Sequence, residues 1–200
     1  PRLRDWLDRI KTDTMFDPSV VYGYFPAVAD GDDMVILHHE GPDGGSGGEP
    51  GTERMRFTFP RQRRDRHLCL ADFVRPKDSG EIDVVAFQLV TVGASVDPHT
   101  ARLFAENRYR EYMELHGLSV QLTESLAEFW HSRVREELGF AAEDPADLDG
   151  MFKVDYRGAR FSLGYPACPD MEDRRKVMKM LRAERVGVLL RCELEERIRG

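Results

Sequence analysis

The chain has 200 residues, 41% of them apolar and 32% charged, which suits one globular domain with a substantial core. Its formal net charge of −7 argues against general nucleic-acid binding, and it contains no apolar run of the about eighteen residues that would suggest a membrane span. The charged N-terminal stretch "PRLRDWLDRIKTD" has no apolar signal core, and Cys69, Cys168 and Cys192 are odd in number and far apart. A cytoplasmic protein with free thiols is therefore expected.

Leu3, Trp6, Leu7 and Ile10 give the start an amphipathic helical spacing. In "VVYGYFPAVADGDDMVILHH", Gly31-Asp32-Asp33 reads as a turn, and the residues from Met34 to Leu37 as a short strand. The glycine-rich stretch over 41–52 is too polar to pack and is expected to be a flexible loop. A phosphate loop there is excluded, because it has no lysine and is not followed by a helix. "MRFTFPRQ" resumes as a strand, "LCLADFV" is a short apolar segment, and "DVVAFQLVTVG" is β-branched and apolar, as a buried strand would be.

Asp97-Pro98 then opens a long helical region, with the aspartate as N-cap and the proline where its missing donor does no harm. Apolar residues recur at helical spacing from Leu103 to Val134, and Gly117 is expected to kink or break the run, since glycine costs about 1 kcal/mol against alanine inside a helix. A polar connector leads to "YRGARFSLGYPACPDMEDRRKVMKML". Two prolines stiffen its centre, Asp170 is placed to cap a helix, and Val177, Met178 and Leu181 share a face of that helix. Strands first and helices later predict an α+β fold with a central, mainly antiparallel sheet and long flanking helices.

None of the six histidines has metal-helix spacing, and His67-Leu68-Cys69 lacks a second ligand pair, so no metal site is expected. No nucleophile elbow is present, and Cys168, between alanine and proline, is expected to be packed rather than catalytic. Arg54, Arg56, Arg61, Arg63, Arg64 and Arg66 form a local basic cluster, read either as a solvated surface or as a face for an acidic partner.

Several segments, in order, resemble the activation domain of cobalamin-dependent methionine synthase: "GYFPAVADGDDMVIL", "FPRQ", "CLADFV", "TVG", "LAEFWHSRVREELGF" and "YRGARFSLGYPACPD". The last is the most specific. The resemblance implies a single C-shaped α+β domain over residues 1–200, truncated at both ends. It also implies binding of S-adenosylmethionine, with Arg160 on the ligand's carboxylate and Gly164, Tyr165, Pro166 and Ala167 walling the groove. Cobalamin would be held mainly by a neighbouring module of the same enzyme, and a flavodoxin- or ferredoxin-like protein would donate the electron that accompanies reductive methylation of cob(II)alamin. The chain would then be part of a methyltransferase that makes methionine from homocysteine, inactive as a fragment and without nucleic-acid or membrane partners.

The chain departs from the family pattern at Ser132, where an acidic residue is expected, and this implies weaker binding of the ligand's amino end. A rival reading is a non-catalytic module that docks on a corrinoid protein with impaired S-adenosylmethionine binding; a third is an adaptor that uses only the basic cluster.

Overall fold

The computed structural model describes residues 2–40, 48–64 and 66–188. Most of the stretch expected to be a flexible loop, 41–47, lies outside the described residues, as does Cys192. In the described part of that stretch, Gly51 N donates to His38 O, and Thr52 N donates to Glu49 O.

The fold is α+β. Among the described residues, β1 (Ser19–Asp30), β2 (Asp33–Leu37), β3 (Glu53–Thr58) and β4 (Asp83–Thr91) form a sheet in the order β3-β2-β1-β4. β1 and β2 are antiparallel, with Asp30 opposite Asp33, so Gly31 and Asp32 make a two-residue hairpin turn. Gly31 has φ 66°, which glycine adopts without steric cost. β2 and β3 are also antiparallel, with Met34 opposite Phe57 and Ile36 opposite Met55.

The chain divides into two compact units. Among the described residues, the first comprises 2–21, 88–158 and 183–188 and holds α1 (Arg2–Thr12), α2 (Asp97–Ala105), α3 (Tyr109–Glu137) and α4 (Leu148–Phe152). Trp6, Ile10, Met15, Val96, Leu103 and Leu115 form its core, so the amphipathic start expected from the sequence does bury its apolar face. Trp6 Nε1 donates to Glu114 Oε2 at 3.1 Å, which satisfies the indole's polar end.

The helical region departs from the expectation in two places. α3 runs unbroken through Gly117, while the chain breaks earlier, between α2 and α3, where Asn107 takes φ 56°. Asparagine tolerates this left-handed conformation better than most residues, whereas Gly117 is carried by the buried and half-buried Leu115 and Leu118 on either side. α2 begins at Asp97 itself, with Val96 in the cap position.

The second unit comprises 22–87 and 159–182 and holds most of the sheet and α5 (Asp173–Leu181). Because side chains alternate along a strand, β2 buries both of its faces. Val35 and Leu37 pack with Val28, while Met34 and Ile36 lie in register with the face that carries Phe57. Phe57 stacks with Phe87 at 5.3 Å and with Phe59 at 6.3 Å. Lys176 of α5 donates to Arg56 O at 2.8 Å and lies 5.1 Å from the Phe57 ring, while its Nζ pairs at 2.6 Å with the buried carboxylate of Asp173. The apolar segment "LCLADFV" holds a 3-10 turn over Leu70–Phe73, and His67-Leu68-Cys69 lies in the loop before it.

Candidate functional site

The "GYPACPD" segment lies in the second unit and folds on itself. Cys168 N donates to Tyr165 O at 2.9 Å, and Gly164 N donates to Cys168 O at 2.8 Å, so Pro166 and Ala167 form the tip of a miniature hairpin. Proline's fixed φ and the absence of its N–H suit a turn position. Gly164 has φ 99°, a conformation that side-chain-bearing residues rarely adopt. The two closing bonds leave the N–H groups of Tyr165 and Ala167 and the carbonyls of Gly164, Pro166 and Ala167 for other partners. Tyr165 is 63% exposed, and Gly164 and Pro166 are exposed beside it.

Cys168 anchors the hairpin. It is 2% exposed, its Sγ donates to Ser162 O at 3.0 Å, and burial pushes its thiol pKa up. It is a packed thiol, not an activated one. Arg160 precedes the hairpin and is half-buried, with Nη1 3.5 Å from Ser162 Oγ. Phe161, half-exposed, meets the exposed ring of Phe73 at 6.1 Å. The structure therefore gathers Gly164, Tyr165, Pro166 and Ala167 into one turn, with Arg160 four residues before it.

After the hairpin, Asp170 Oδ1 accepts from Glu172 N at 2.9 Å and closes a turn ahead of α5; the cap position of the helix is held by Glu172. Arg174, in the first turn of α5, donates from Nη2 to Leu163 O at 3.2 Å. Sequence reasoning passed over this contact, because nothing in the spacing says that an exposed arginine folds back on the loop before its helix.

Residues 3–194 match the family described as "Vitamin B12 dependent methionine synthase, activation domain". The chain belongs to this family. It is 52% identical over 206 aligned residues to a protein named methionine synthase from Mycobacterium tuberculosis (strain ATCC 25618 / H37Rv), and 50% identical to one of the same name from Mycobacterium leprae (strain TN). The alignments take in 98% of the chain but only 17% and 16% of those proteins, so the chain spans about a sixth of the length of the curated relatives it matches. Its fold is similar to that of the MetH reactivation domain crystallised bound to AdoHcy, with a TM-score of 0.74 and 28% identity over 90% of this chain and 54% of that one.

Two further regions of this activation domain bear on function. Ser132 on α3 uses its hydroxyl locally, donating to Phe129 O at 2.7 Å. The basic cluster is largely neutralised at two of its members. Arg56 pairs with Glu53, Asp33 and Asp30, and Arg61 pairs with Asp32 and Asp72. Arg63, Arg64 and Arg66 are exposed. Among the described residues, no group of three or more histidine, cysteine, aspartate or glutamate side chains could hold a metal ion, and no helix is long and apolar enough to cross a membrane.

Proposed function

We propose that the chain is the reactivation module of a cobalamin-dependent methionine synthase and that it binds S-adenosylmethionine on the Gly164–Cys168 hairpin. All 200 residues would serve this one role, in the cytoplasm. The observation that carries the reading is the hairpin itself: an exposed turn, closed by its own two hydrogen bonds, whose remaining backbone groups suit the polar amino-acid end of the ligand. The family membership and the AdoHcy-bound relative support it.

Arg160 takes the ligand's carboxylate, since a planar guanidinium offers two parallel donors to it. Gly164 lets the ligand approach the backbone closely, and Tyr165, Pro166 and Ala167 form the wall. A sulfonium methyl group has to be held in line with its acceptor, and a turn stiffened by proline and closed by hydrogen bonds provides that preorganisation. Cobalamin, held mainly by a neighbouring module of the whole enzyme, supplies the cobalt centre that accepts the methyl group. The electron comes from a flavodoxin- or ferredoxin-like protein, and the exposed Arg63, Arg64 and Arg66 offer an acidic donor a complementary surface. The product supports methionine synthesis from homocysteine.

Calorimetric titration with S-adenosylmethionine and with S-adenosylhomocysteine tests the reading. One-site binding is expected, with Arg160→Ala lowering affinity roughly ten- to a hundredfold at unchanged melting temperature. Absence of binding, or an Arg160→Ala variant that binds normally, overturns it.

A further inference from the structure

The peptide group between Leu163 and Gly164 is held at both ends. Its N–H belongs to Gly164 and donates to Cys168 O at 2.8 Å; its C=O belongs to Leu163 and accepts from Arg174 Nη2 at 3.2 Å. Glycine populates positive and negative φ about equally, so Gly164 does not by itself choose the φ of 99° that it adopts here. Rotation of that one peptide plane would release the Gly164 N–H from the hairpin and turn the Leu163 carbonyl away from Arg174. Something outside the glycine has to select the conformer.

Arg174 has the geometry to do so. Its guanidinium holds the carbonyl, and it also fills the space beside the glycine: a Cβ placed on Gly164 would lie 3.2 Å from Arg174 Nη2 and 2.8 Å from Met171 Sδ. The backbone N of Arg174 donates to Met171 O, so the same turn that starts α5 carries both groups against Gly164. We propose that Arg174 is a positioning residue that locks the Leu163–Gly164 peptide and thereby keeps the Tyr165–Cys168 hairpin in its binding-competent pose. The consequence for affinity rests on the function proposed above; the lock itself does not.

Arg174 is exposed, so its substitution leaves the core intact. In Arg174→Ala, amide exchange at Gly164, followed by NMR, is expected to accelerate by at least about threefold while the melting temperature stays unchanged, because local opening is read separately from global stability. The apparent affinity for S-adenosylhomocysteine is expected to fall roughly three- to tenfold, in proportion to the lost fraction of the competent conformer. Arg174→Lys, which keeps a donor but not the planar fork, should recover part of both effects. Unchanged exchange at Gly164 in Arg174→Ala overturns the inference. Normal binding by Arg160→Ala, measured in the same series, overturns the ligand reading and leaves the lock standing on its exchange data.

Discussion

Arg135 and Asp144 meet as a forked pair: Nε lies 2.9 Å from Oδ1, Nη2 lies 2.8 Å from Oδ2, and the arginine is wholly buried. The guanidinium also lies 4.0 Å from the Tyr156 ring and directs Nη1 at His131 Nδ1, 2.9 Å away. A guanidinium can only donate, so in this bond Nδ1 is the acceptor. Removing the carboxylate would strand a buried cation. Asp144→Ala is expected to cost about 3–5 kcal/mol, lowering Tm by on the order of 10 °C, whereas the paired change Arg135→Met with Asp144→Leu should recover most of that loss. Denaturant unfolding checks both, and a loss below about 1 kcal/mol in the single variant would show that the arginine is compensated elsewhere.

Gly164, at the base of the hairpin, is expected to resist replacement. An added methyl group would meet only the flexible ends of Met171 and Arg174, so the larger penalty is conformational, from φ 99°. Gly164→Ala should cost about 1–3 kcal/mol of stability. Gly31→Asn is the control: it has open space and φ 66°, where asparagine is tolerated, and should change stability by less than about 1 kcal/mol. Equal losses in the two variants would refute the assignment of strain to Gly164.

Asp72 sets a dependence on acid. Its carboxylate accepts from Arg61 and from Cys69 N, and these bonds, the arginine's first, lower its pKa to about 2. Because the folded-state pKa is depressed, the stabilisation is fully present above the unfolded value of about 3.9 and is lost as pH falls through about 2. Asp72→Asn should therefore lower stability above about pH 4 and flatten its change between about pH 4 and pH 2, while the shape of the profile at higher pH stays the same. An acid limb identical to that of the parent would show that the pair contributes nothing to it.

Charge reversal at Arg63 and Arg64 tests the proposed contact with an electron donor. In the full-length enzyme, the double change to glutamate should slow cofactor reduction by an acidic donor protein by roughly tenfold or more at low salt, and the gap should narrow as ionic strength shortens the screening length to about 8 Å and below. Equal rates at low salt would reduce these arginines to a solvated surface.

The parts of the molecule that could be read from sequence are those whose causes lie close together in the chain. The Gly31-Asp32 turn, the short strand after it and the stiff "GYPACPD" turn each follow from local chemistry. The rest depends on partners distant in sequence. Arg56 and Arg61 look like free positive charge until the β1-β2 hairpin brings Asp30, Asp32 and Asp33 beside them. The helix break falls at Asn107 and not at Gly117, because packing around Leu115 outweighs a propensity difference of about 1 kcal/mol. Within the candidate site the turn was legible, while its anchor on Arg174 depends on where α5 begins.

A sulfonium ligand is an alkylating agent, and a thiolate is the side chain most readily alkylated at neutral pH. On the proposed function, the hairpin that receives the methyl donor carries a cysteine of its own. Cys168 keeps its proton because burial raises its pKa, and its sulfur is turned inward onto Ser162 O. A methyl donor held on this loop would then meet a protonated, inward-facing thiol, which leaves the methyl group for its intended acceptor.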